Sequence, residues 1–92
     1  MISLIATITA NKIEELKAEL LKLVELTTKE PGCIQYVLHQ EVDNPQMFRF
    51  YEQFKDQAAF EYHGNQPYIK NNAARTALME KPGVLTFLNV LS

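Results

Sequence analysis

Ile2, Leu4, Ala6 and Ile8 alternate with Ser3, Thr7 and Thr9, the period of a half-buried strand. The spacing then changes. Ile13, Leu16, Leu20, Leu23, Val24 and Thr27 fall on one helical face, with Glu15, Lys22, Glu25 and Lys29 opposite. Asn11, with Glu14 three residues on, is the expected N-cap of that helix. Glu30-Pro31-Gly32 stops it, because proline breaks the hydrogen-bond ladder and glycine permits the turn. A second strand is expected over residues 33–42 and a third over 47–54, joined as a hairpin by Asp43-Asn44-Pro45-Gln46. Asp56 is placed to cap a short helix ending near His63-Gly64. Pro67 suits the first turn of a further helix continuing through Met79. Pro82-Gly83 opens a last strand over residues 84–91. Strand, helix, strand, strand, helix, strand is the order of the ferredoxin-like α+β fold, an antiparallel sheet with helices on one face.

The last strand is apolar on both faces, with Leu85, Phe87 and Leu91 on one side and Val84, Leu88 and Val90 on the other. Ile5 and Tyr51 add apolar surface opposite Leu4 and Phe50. Helices on one face leave the other open, a larger apolar patch than monomers usually expose. The expectation is a two-fold homodimer packed through its sheets. The competing expectation is a lone sheet with an apolar outer face.

At 92 residues the chain is expected to form a single domain over 1–92, near the small end of what folds without staples. Net charge is -2 with both signs scattered, so there is no basic patch and nucleic acid is not an expected partner. No apolar run is long enough to span a bilayer, no secretory pattern opens the chain, and no membrane partner is expected. Cys33 is the only cysteine, which excludes an internal disulfide and a thiolate metal cluster. A cytoplasmic location is the expectation.

Candidate chemistry centres on Glu52 and His63. Glu52 lies in the aromatic stretch Phe48-Arg49-Phe50-Tyr51-Glu52-Gln53-Phe54, where a buried acid must be paired or protonated. His63 ends the short helix, and histidine is the side chain most easily tuned across neutral pH. Each also has a structural reading: Glu52 as a carboxylate pairing with a helix N-terminus or with His63, and His63 as a cap favoured by the helix dipole. Phe50, Phe54, Tyr62 and Tyr68 offer aromatic walls, and Tyr68 and Asn72 share a helix face through which both reach the sheet. Core packing is the alternative for Tyr68. Tyr36 and His39 fall on opposite faces of the second strand, with His39 expected at the surface. His39 and His63 lack a third ligand at recognisable spacing, so no metal site is expected.

Several of these residues carry a family resemblance. Glu30-Pro31-Gly32-Cys33-Ile34-Gln35-Tyr36 matches the pattern E-P-G-C-x-x-Y. It is followed by Asp43-Asn44-Pro45 ahead of Phe48, then Tyr51-Glu52-Gln53-Phe54-Lys55-Asp56, Ala59, and His63 followed by Pro67. The series resembles the antibiotic biosynthesis monooxygenase (ABM) domain family over nearly the whole chain. The resemblance implies a dimeric α+β barrel and a small oxygenase that converts phenols or quinols to quinones with O2, without metal or flavin. It also implies His63 and Glu52 as catalytic groups. Tyr68, Asn72, Phe50, Phe54, Tyr62 and Tyr36 would then form the binding site for a small aromatic substrate. The chain departs from the haem-degrading branch, having no tryptophan, threonines in the first strand and no histidine in residues 67–79. Tyr68 stands where many members carry histidine after the proline. Two alternatives remain: a binding module without turnover, and an isomerase of a small phosphorylated signalling compound that would draw on Lys70 or Arg75.

Overall fold

The computed structural model describes residues 1–70 and 72–92. Its elements are β1 (Ile2–Thr9), α1 (Ile13–Thr27), β2 (Cys33–Gln40), β3 (Met47–Phe54), α2 (Gln57–Gly64), α3 (Ala73–Thr76) and β4 (Val84–Leu88). The four strands form one antiparallel sheet in the order β2-β3-β1-β4. This is the ferredoxin-like α+β arrangement that the element order predicts.

Register explains the core. Across the sheet, Tyr36, Glu52, Leu4 and Phe87 form one row, and Leu38, Phe50, Ala6 and Leu85 form the next. Paired residues share a face, so both rows face the helices. Against them α1 buries Leu16, Leu20, Leu23 and Thr27, the stripe read from the sequence. Phe48, Phe50 and Phe54 are almost wholly enclosed. Truncating any of them to alanine costs about 3–5 kcal/mol.

Several boundaries differ from the sequence reading. α1 starts from Lys12, with no side-chain cap. The backbone N–H of Asn11 instead donates to the Leu78 carbonyl at 2.8 Å, tying the helix entry to the segment after α3. β2 ends at Gln40 and β4 at Leu88, leaving Val42 and Leu91 outside the ladder and almost fully exposed.

The helix expected from Pro67 to Met79 is reduced to turns and the four residues of α3; residue 71 within that range lies outside the described residues. The cause is local. Arg75 donates from its two terminal nitrogens to the carbonyls of Tyr68 at 2.7 Å and Ile69 at 2.6 Å. A continuous helix needs those carbonyls for its own ladder. Asn72 then starts a fresh turn by accepting from the Arg75 backbone N–H at 2.9 Å. No helix among the described residues is long and apolar enough to cross a membrane.

Candidate active site

α2 delivers the histidine. Asp56 caps the helix, its Oδ1 accepting from the Ala59 N–H at 2.8 Å, which puts Ala59 and His63, four apart, on the buried face. The helix lies close to the start of β2 because Gly32 has no side chain. A Cβ built there would stand 2.2 Å from the Cβ of Ala59. His63 therefore comes down over the sheet with ring centroids 4.8 Å from Phe54 and 5.4 Å from Tyr36.

Its partner is Glu30. Nδ1 of His63 lies 3.0 Å from Oε2 of Glu30, and the Tyr68 hydroxyl donates to the same oxygen at 2.5 Å. Both members of the His–Glu pair are buried, and Oε1 of Glu30 is enclosed without a partner among the described residues. With Glu30 ionised, the shared oxygen is an acceptor for both donors. That assigns the imidazole proton to Nδ1 and leaves Nε2, which makes no hydrogen bond among the described residues, as the basic nitrogen.

Glu52 has a different environment. It is 4% exposed, and its side chain makes no hydrogen bond among the described residues. Burial, reinforced by the nearby charge of Glu30, pushes its carboxyl up to about 8. At neutral pH Glu52 is therefore mainly a neutral acid, able to donate a hydrogen bond. Burial and the charge of Glu52 likewise push the Tyr36 phenol up, keeping it protonated.

Glu52 and His63 meet in a cavity of about 430 Å³, a size suited to a small organic ligand. Tyr36 and Phe50 form part of its wall and stack with centroids 4.5 Å apart. Leu4, Phe60, Ile69, Met79 and Leu85 make most of the remainder apolar, and Arg75 supplies a cation.

The other residues singled out in the sequence lie elsewhere. Phe54 is fully buried beneath His63 and does not line the cavity. Tyr62 is 51% exposed on the outer side of α2. Tyr68 acts on Glu30 and is not in the cavity wall, and Asn72 caps α3 and lines a shallow outer cleft. Among the described residues no cluster of three His, Cys, Asp or Glu side chains is placed to hold a metal ion.

Glu30 was read in the sequence as part of a helix stop and of the E-P-G-C-x-x-Y pattern, and was given no place in the site. A signal for it existed: Leu16, Leu20, Leu23 and Thr27 step along the buried face, and one further step of three reaches Glu30. An acid continuing an apolar stripe needs a buried partner.

The profile of the family described as "Antibiotic biosynthesis monooxygenase" matches residues 1–75. Among solved structures, protein PA3566 of Pseudomonas aeruginosa is 36% identical with a TM-score of 0.91, over 99% of this chain and 94% of that one. Protein SO0527 of Shewanella oneidensis is 30% identical with a TM-score of 0.84, over 95% and 89% of the two chains. A structure described as an antibiotic biosynthesis monooxygenase superposes over the full length of both chains with a TM-score of 0.90 at 24% identity, a likeness of fold. An uncharacterized protein of Synechocystis is 28% identical over 81 residues, 87% of this chain and 55% of that protein. The chain thus spans about half the length of that curated relative.

Proposed function

Because the chain belongs to the antibiotic biosynthesis monooxygenase family, we propose that it oxidises a small phenol or quinol with O2, using no cofactor. The observation that carries this reading is one apolar cavity containing both a held histidine and a neutral carboxylic acid. A flat electron-rich ring fits its aromatic wall. Nε2 of His63 takes the phenolic proton, and the Glu30 carboxylate at 3.0 Å stabilises the imidazolium that results. Neutral Glu52 donates to the developing phenolate oxygen.

The anion then gives electrons to O2, and a C–O bond forms at the ring carbon opposite the oxygen. His63 returns its proton to the peroxide. Loss of the ring C–H proton with cleavage of the O–O bond leaves a quinone and releases water. Phenol plus O2 thus becomes quinone plus H2O, with every electron supplied by the substrate.

The same proposal includes a second copy of the chain. Val84 and Leu88 of the edge strand, on the face away from the helices, are 54% and 39% exposed, and a partner sheet covers them. Oxygen uptake by the purified protein with a phenol unsubstituted at the para position, in the presence of chelator, tests the reading. Uptake that survives chelation and falls in His63→Ala supports it, and no uptake with a broad phenol panel contradicts it.

A further inference from the structure

Arg75 is half-buried between the main cavity and a shallow outer cleft, and with Ile69 and Thr76 it borders both. Its backbone is fixed by the Asn72 cap and its side chain by the carbonyls of Tyr68 and Ile69. Those two carbonyls engage one N–H on each terminal nitrogen. A guanidinium has five such donors, so among the described residues each terminal nitrogen and Nε retain one.

The cation has no carboxylate partner among the described residues. The acid that acts on it from α1, Glu19, makes its contact with Lys22 at 3.2 Å. Of the two acids nearest the cavity, Glu30 is engaged by His63 and Tyr68, and Glu52 is mainly neutral at pH 7. Burial disfavours the charged guanidinium, as its lowered pKa reflects. A rigidly held, partly desolvated cation facing a largely apolar cavity, whose one acid is mainly neutral, is a site for an anion.

We infer that Arg75 is the anion-binding end of the cavity, and that the ligand is a phenol carrying a carboxylate as a second polar group. A carboxylate fits better than a phosphate because a single guanidinium edge is offered. The other nearby cation, Lys70, is exposed and does not line the cavity. Carboxylate on guanidinium then orients the ring, leaving its hydroxyl to His63 and Glu52. This deepens the oxygenase reading and rests on it for the role of the hydroxyl.

The test is binding of meta-hydroxybenzoate and its methyl ester, whose ring carbon opposite the hydroxyl carries hydrogen, measured by calorimetry on the intact protein, with oxygen uptake recorded separately for both compounds. The acid is expected to bind roughly tenfold more tightly than the ester, the scale of one charge-assisted contact. Arg75→Gln should abolish the preference, and Arg75→Lys should keep most of it. Equal binding of acid and ester by the wild-type protein, failure of both to bind, or an unchanged preference in Arg75→Gln would overturn the inference. A preference for the acid without oxygen uptake supports Arg75 as the anion site while removing the oxygenase reading. Uptake without a preference does the reverse.

Discussion

Nδ1 of His63 lies 3.0 Å from Oε2 of Glu30, with both side chains buried. The acid that holds the histidine thus lies in the turn after α1, beyond its last residue Thr27, and Glu52 is left as a separate group in the cavity. The two carboxyls have different surroundings and different roles. One is an anion with two donors, and the other is kept neutral by burial.

The first prediction concerns Glu30. Glu30→Gln preserves shape but removes the charge that steadies His63 when it takes a proton. It should lower turnover roughly a hundredfold, the low end of the range ascribed to general-base catalysis, with KM little changed. Glu30→Ala strips His63 and Tyr68 of a shared partner and should cost about 3 kcal/mol in urea denaturation.

Glu52 sets a pH dependence of stability. Its carboxyl rises from an ordinary 4.5 to about 8 in the folded protein, so between those values the native state holds a proton that the unfolded chain releases. Its favourable contribution is fully present below about 4.5 and is lost as pH rises to about 8. Glu52→Gln, which stays neutral, should remove that slope. Relative to the parent it should gain on the order of a few kcal/mol at alkaline pH. Denaturation measured from acid to alkaline pH checks this.

Gly32 permits the close approach that aims His63. Gly32→Ala places a Cβ 2.2 Å from the Ala59 Cβ and 3.4 Å from its Cα, so the helix must shift. The expected cost is about 1–3 kcal/mol, the scale of overpacking, with activity falling as well. Thermal melts and turnover measured together check both effects.

The edge strand tests the assembly. Phe87 is 58% exposed, although its ring meets Phe60 at 5.5 Å. Sedimentation should show a dimer, and Val84→Lys, on the opposite face of the same strand, should shift it toward monomer. A wild-type monomer at micromolar concentration would contradict the proposed pairing.

Much of the fold was legible because its signals are local. The alternation in β1, the apolar stripe of α1, the Asp56 cap and the turn at Asp43-Asn44-Pro45 each act over a few residues. The failures came where a side chain or another segment takes the backbone groups that the simple pattern would use. Arg75 takes the Tyr68 and Ile69 carbonyls and so breaks the expected helix, and Leu78 captures the backbone of Asn11 and displaces the expected cap. The site was legible in part for the same reason. Glu52 could be singled out as a costly acid among aromatic residues, and His63 as a tunable side chain at a helix end. The pairing of His63 with Glu30, 33 positions apart, depends on how α2 packs against the turn that precedes β2.

The central claim is that one atom of O2 enters the substrate without a cofactor. The most direct measurement is turnover of a para-unsubstituted phenol by chelator-treated protein under isotopically heavy oxygen, with mass analysis of the product. The account predicts a quinone carrying one heavy oxygen atom per molecule, with the other released as water and formation sharply reduced in His63→Ala. A product without the label, or formation equal in wild type and His63→Ala, would contradict it.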